Sequence, residues 1–260
     1  MIKKIQNSLI VGLFIISLPT TFVLAEEIKN TTDAVNMAGK QRMFTQRMLK
    51  DYAMVGMNNT FGKPDVDLKE IVNTFETHME LLAKYTTVDT TKESLAEVKK
   101  LWIPIKQTLS SAPVKENVSK LQESLEALLK ASDTVTKKFT KESGKEAGEI
   151  VNLSGRQRML SQRMASLYML KVWGIDDPQF KTKLDDSMKL FKDSLVELEK
   201  SSLNTEEIKA LLKKVKRSFM FFEMMGKSSS KFVPTLIYKK SNDILTNMDE
   251  ATQKYVAIEK

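Results

Sequence analysis

Two similar stretches of sequence organise the chain, DAVNMAGKQRMFTQRMLKDY (Asp33–Tyr52) and EIVNLSGRQRMLSQRMASLY (Glu149–Tyr168). They lie 116 residues apart, and the same offset relates residues well beyond them. Corresponding pairs further along the chain are Leu68 and Leu184, Phe75 and Phe191, Leu82 and Leu198, and Asp133 and Asp249. The chain is therefore two copies of a unit of roughly 115 residues, too few for a solenoid but enough for two paired domains.

Each copy carries apolar residues at helical spacing, interrupted by short breaks rich in Gly, Pro, Asn and Ser. The predicted helices cover about 31–58, 66–86, 91–111, 115–142, 146–173, 178–201, 205–229 and 232–258. Because the connecting loops are short, neighbouring helices run antiparallel. The sequence predicts an all-α protein of two tandem up-down-up-down four-helix bundles related by internal duplication.

The first 25 residues are typical of a secretory signal peptide. Lys3 and Lys4 precede an apolar run, Leu9–Leu18, and small residues precede a plausible cleavage site after Ala25. We expect the segment to be removed and the protein to be periplasmic. The remaining chain then divides into a first bundle over 26–143 and a second bundle over 144–260.

Composition excludes several classes of function. The absence of Cys excludes disulfides, zinc-cysteine sites and a cysteine nucleophile. The 41 Lys and Arg residues are dispersed among 33 acidic residues, which indicates a solvated helical surface and no nucleic-acid partner. His78 is the only histidine, so neither a metal site nor a cofactor is expected. Since no acid–base pair or nucleophile set is present, we expect no enzyme.

The repeated motif places basic and amide side chains beside a glycine. On a helix, Gly39, Arg42 and Gln46 share one stripe. The second copy repeats this stripe with Gly155, Arg158 and Gln162. A neighbouring stripe carries Asn36 and Arg47 in the first motif, and Asn152 and Arg163 in the second. A glycine inside a helix costs about 1 kcal/mol relative to Ala, so its use twice indicates a close backbone approach.

Two interpretations of these arginines stay open. The motif contains no carboxylate, and arginine is almost never buried unless paired, which favours a half-buried cationic site that takes a small external anion. A planar guanidinium group suits planar or bidentate oxyanions. Alternatively, Arg42 and Arg158 pair with acidic residues of other helices, and the protein is a structural or adaptor bundle with no small ligand.

The strings NMAGKQRMFTQRM and NLSGRQRMLSQRM resemble the P-box motif of periplasmic nitrate/nitrite sensor kinases, and more closely the PilJ-type N-terminal domain of chemoreceptors. This resemblance implies a four-helix bundle in which nitrate or nitrite binds at a dimer interface. It implies ligand contacts from Gly39, Arg42, Gly155 and Arg158, with a possible second tier of Asn36, Gln46, Arg47, Asn152, Gln162 and Arg163. It also implies signalling through a membrane-bound sensor kinase or chemoreceptor.

The arrangement of the two copies depends on the link TKESGKEAGE (Thr140–Glu149). If the chain reverses there, with Gly144 or Gly148 as a left-handed cap, the two motif helices lie side by side and one chain imitates a dimer. If one helix continues from about Lys115 to Trp173, the bundles stack end to end, and a homodimer is needed to pair the motifs. We favour the reversal and a monomeric pseudo-dimer.

Overall fold

The computed structural model describes residues 27–227 and 233–258, and within them it contains eight α-helices. The predicted signal peptide, the predicted end of the seventh helix at 229 and the predicted start of the eighth at 232 lie outside the described residues. The helices are α1 (Thr31–Gly56), α2 (Pro64–Tyr85), α3 (Asp89–Leu109), α4 (Val118–Ser143), α5 (Glu146–Val172), α6 (Phe180–Glu199), α7 (Glu206–Lys227) and α8 (Pro234–Ile258).

The helix ends follow local sequence signals. The side chain of Asn30 caps α1 by accepting a hydrogen bond from the backbone N–H of Asp33 at 2.8 Å. Pro64 begins α2, where its missing N–H costs nothing. Gly144 ends α4 with a left-handed φ of 60°, and α5 begins two residues later. The chain therefore reverses direction between α4 and α5 instead of continuing as one long helix.

Each half forms its own bundle. In the first half, α1 packs against α2 and α4, and α3 packs against the same two helices; α5, α6, α7 and α8 repeat this arrangement in the second half. The aromatic cores also match, because Phe75 stacks near Trp102 and Phe191 stacks on Phe219. The prediction of an all-α fold of two tandem helical bundles is confirmed. Within the described residues, every helix is too short or too polar to be a candidate transmembrane span.

The two motif helices, α1 and α5, form the main contact between the halves. They run in the same direction, because Gly39 lies against Gly155 near their beginnings, and Tyr52 and Gly56 lie against Trp173 near their ends. Both helices are buried on nearly every side, by their own bundle and by each other. This burial explains why polar motif residues lie inside the protein.

We predict that Gly56→Ala lowers the free energy of unfolding by about 1–3 kcal/mol, because a Cβ atom there would overlap the Trp173 indole. Chemical denaturation measures the loss. In a Trp173→Leu background the overlapping ring atoms are gone, so the same substitution is expected to cost far less. An equal cost in both backgrounds would show that the indole does not set this contact.

Candidate functional site

The centre of the interface is a contact between two glycines. A Cβ atom built on Gly155 would lie 3.9 Å from the Cα of Gly39, so the backbones of α1 and α5 meet here. The glycine in each motif therefore serves the close approach that the sequence indicates. Around this contact lie the arginines of both motifs.

The guanidinium groups of Arg42 and Arg158 converge on the glycine contact. Their side chains are 1% and 0% exposed. A Cβ atom on Gly39 would lie 3.4 Å from Nη2 of Arg42 and 3.5 Å from Nη2 of Arg158. Each Nη2 then donates to the opposite helix, Arg42 to the carbonyl of Asn152 at 3.2 Å and Arg158 to Oδ1 of Asn36 at 2.9 Å. The four primary predicted site residues are thus brought together.

Each of these arginines has its own carboxylate. Nη1 of Arg42 lies 2.6 Å from Oδ1 of Asp133 on α4, and Nη1 of Arg158 lies 2.5 Å from Oδ1 of Asp249 on α8. The expectation of a cationic site without a negative counter-charge is therefore wrong. The physical reason is that the last helix of each bundle packs beside its motif helix and brings in an aspartate that is distant in sequence. The centre holds two cations and two anions.

Burial and pairing act against each other at this centre. Burial lowers the pKa of Arg42, and Asp133 opposes this effect, while the neighbouring charges of Arg156 and Arg158 add to it. Burial raises the pKa of Asp133, but Arg42 and Lys137 outweigh it, so that the pKa lies below its ordinary value. The carboxylate is thus held ionised by the arginine that it neutralises.

The pairing does not use every donor. The Nε–H groups of Arg42 and Arg158 are buried and have no hydrogen-bond acceptor among the described residues. A buried unsatisfied N–H costs about 1–3 kcal/mol, so two of them at corresponding positions need a structural or functional explanation. They are donors that an additional acceptor at the centre would satisfy.

The second-tier amides lie at the interface. The side chain of Asn36 and the backbone of Asn152 both contact the opposite arginine. Gln46 and Gln162 lie further along the helices, where Gln46 accepts from Ser166 at 3.3 Å and Gln162 accepts from Lys50. These glutamines bind the two halves together without contacting the arginine pair.

Arg47 and Arg163 lie away from the glycine contact. Arg47 forms a bidentate ion pair with Asp67 on α2, within its own half. Arg163 reaches α4 and pairs with Glu126 at 2.6 Å, across the halves. Both side chains are partly exposed, so the neighbouring stripe of the motif supplies ion pairs at the edge of the interface instead of donors at its centre.

Sequence reasoning missed Lys50, which is fully buried. Its Nζ donates to Gln162 at 2.8 Å and to Asn242 at 3.0 Å, and it lies 4.4 Å from the centre of the Tyr238 ring. Burial lowers the pKa of Lys50. The corresponding residue of the second copy is Ser166, so this tie exists on one side of the interface only. Comparing the two motifs position by position would have singled it out.

The described residues contain no group of three or more His, Cys, Asp or Glu side chains arranged to hold a metal ion. His78 is buried with its ring 5.5 Å from that of Phe44. The site's chemistry is therefore that of guanidinium groups, carboxylates and amides.

Comparison with known families matches both halves of the chain to one family model. Residues 23–138 and 139–220 match the family model PilJ, described as "Type IV pili methyl-accepting chemotaxis transducer N-term". The two matched segments cover well over half of the chain and fall on the two copies. No curated protein and no solved structure matches the chain.

We predict that Asp133→Asn lowers the free energy of unfolding by on the order of 3 kcal/mol, because it leaves the buried Arg42 without a counter-charge. The matched control is Asp193→Asn, which removes the partner of the exposed Lys189 and is expected to cost far less. Denaturant titration of both variants measures the difference. Equal losses would contradict the burial argument.

The difference in the free energy of unfolding between the wild type and Asp133→Asn should depend on pH. Because the folded pKa of Asp133 lies below its ordinary value, its contribution to stability is complete above the unfolded pKa of about 4 and disappears as pH falls through the folded pKa. We therefore expect a constant stability difference above about pH 5 that narrows on further acidification. Unfolding free energies across this range measure it, and a pH-independent difference would contradict the pairing.

Proposed function

The chain belongs to the PilJ family, the N-terminal domain of type IV pili methyl-accepting chemotaxis transducers, and we propose that it is a periplasmic sensory protein that binds a small oxyanion. Nitrate and nitrite are the first candidates, and the site consists of Gly39, Arg42, Gly155 and Arg158. The bound state is read by a membrane-bound chemoreceptor or sensor kinase.

The observation that carries this proposal is the convergence of two buried guanidinium groups, one from each half, on a single helix contact. An anion at this point touches both copies at once, so its binding free energy depends on how α1 and α5 lie relative to each other. A ligand with such differential affinity shifts the population of helix arrangements. The unsatisfied Nε–H groups supply donors suited to oxyanion acceptors.

The two aspartates fit this proposal as internal counterions that an external anion displaces. The side chains of Asp133 and Asp249 are 29% and 36% exposed, whereas their arginines are inaccessible. Asp133 also lies 2.7 Å from Lys137, so a second cation is ready to hold it when it leaves Arg42. In this proposal the carboxylate turns toward solvent while the guanidinium group stays in place. Competition with this carboxylate would weaken the affinity for any anion.

A second candidate function is favoured by the same ion pairs. If Arg42 and Arg158 are neutralised permanently by Asp133 and Asp249, the centre is a polar clamp that fixes the register of α1 and α5. The protein is then a structural or adaptor bundle whose partner recognises its outer surface. The two functions differ in whether the ion pairs can be opened by an anion from solution.

Thermal unfolding in nitrate, nitrite and chloride at matched ionic strength distinguishes these functions. We expect nitrate or nitrite to raise the midpoint and chloride to leave it unchanged, with stabilisation following RT ln(1 + [L]/Kd), about 2.7 kcal/mol at a hundredfold excess over Kd. In Asp133→Asn the competing carboxylate is gone, so the response should begin at lower anion concentration. A destabilised Asp133→Asn variant with no anion-specific response would favour the adaptor function.

The variant Gly39→Ala separates binding from folding. Its Cβ would make only ordinary contacts, and Ala favours a helix over Gly by about 1 kcal/mol, so the fold should be as stable or slightly more stable. The added methyl group lies within 3.5 Å of both Nη2 atoms, at the helix contact where the two guanidinium groups converge, and should abolish the anion response. Arg47→Ala is the control, because Arg47 pairs with Asp67 away from the centre and should leave the response intact.

A further inference from the structure

The outer face of α7 carries a stripe of basic and apolar side chains. Lys213, Arg217, Met220 and Met224 are spaced by four, three and four residues, which places them on one side of the helix. All four are exposed, Met220 and Met224 by 55% and 65%. The opposite side of α7 is buried in the second bundle, so this stripe cannot turn inward.

Among the described residues, no acidic side chain neutralises the cations of this stripe. Lys209 pairs with Glu206 and Lys216 pairs with Glu199. In the part of the chain that the structure describes, three further cations of α7 form no ion pair with an acidic side chain: Lys213, Lys214 and Arg217. The stripe therefore carries an uncompensated positive charge at one end and exposed thioether side chains at the other.

The corresponding helix of the first half, α3, lacks this excess of charge. Three of its lysines pair with acidic residues: Lys92 with Asp89, Lys100 with Glu97, and Lys106 with Glu76. Since the two halves share one fold, the difference belongs to the surface of the second half and is not required by the bundle. It is a feature that needs an external explanation.

We propose that this outer face of α7, the stripe of Lys213, Arg217, Met220 and Met224 with the flanking Lys214, docks on an anionic lipid surface. The cations lie at the phosphate headgroups, and the two methionines enter the boundary between headgroups and acyl chains. A lipid surface suits the stripe better than an acidic protein does, because the stripe lies on one convex helix and its long, flexible side chains fit a fluid boundary.

Docking through α7 leaves the interface of α1 and α5 untouched. Helix α7 packs against α6 and α8, whereas the paired arginines lie between the halves. The proposal is therefore independent of oxyanion binding. It would hold the protein beside the membrane with a fixed side facing the lipid.

Vesicle co-sedimentation tests the proposal with the chain from Glu26 onward, which contains every described helix. Binding should be strong to phosphatidylcholine vesicles that contain a third of phosphatidylglycerol, and weak to phosphatidylcholine alone. The triple variant Lys213→Gln, Lys214→Gln, Arg217→Gln should lose on the order of a hundredfold in partition coefficient, because each of the three cations near an anionic surface contributes about fivefold.

The matched control neutralises three lysines of α3, Lys92→Gln, Lys99→Gln and Lys100→Gln, which changes the net charge equally. This control should retain nearly all binding. If it loses as much as the α7 variant, overall charge explains the adsorption and the proposal fails. If the wild type shows no preference for the anionic vesicles, the proposal also fails, and an acidic protein face becomes the partner to seek.

Insertion of the methionines into the lipid can be measured separately, by fluorescence quenching and by vesicle binding. The variant Met224→Trp should show fluorescence quenching by brominated acyl chains beyond that of the wild-type tryptophans, Trp102 and Trp173. The double variant Met220→Ser, Met224→Ser should bind anionic vesicles several-fold more weakly. Unchanged quenching together with unchanged binding would mean that the methionines stay outside the lipid, and would overturn their part in docking.

Discussion

The structure depends on the burial of two like charges at one point, the contact of Gly39 with Gly155. An isolated buried charge is strongly destabilising, and here each guanidinium group has a neutralising partner. Asp133 and Asp249 meet this requirement from the last helix of each bundle. This arrangement needs three features of the fold: the motif glycines, the parallel packing of α1 and α5, and the position of α4 and α8.

The duplication preserves this centre and varies its surroundings. Corresponding residues make equivalent contacts in both halves at the arginines, and likewise at Gln41 and Gln157, which donate to the backbone carbonyls of Phe75 and Phe191. Further along the interface, Lys50 donates a hydrogen bond to Gln162 of the opposite half, whereas the corresponding residue Ser166 donates to Gln46. The halves are therefore related in fold but are not interchangeable.

Much of the fold could be predicted from the sequence because helix periodicity, Gly144 and the motif glycines act locally. The ion pairs could not, since each arginine finds its aspartate 91 residues away. One sign of them was present: Asp133 and Asp249 occupy corresponding positions in the two copies, as Arg42 and Arg158 do. Residues that are retained together in both halves are candidates for one shared contact. The stripe containing Arg47 carried no such sign, because its partner Asp67 corresponds to Lys183.

In the proposed function, the paired arginines exchange an internal carboxylate for an external oxyanion. The most direct measurement is NMR of the arginine Nε–H resonances during titration with nitrate, with Arg42 and Arg158 assigned by substitution. The proposed function predicts that both resonances shift together and saturate, because one anion would contact both groups and satisfy donors that have no acceptor among the described residues. Resonances that stay unchanged in a large excess of nitrate and nitrite would mean that the ion pairs never open, and that the centre is a structural clamp.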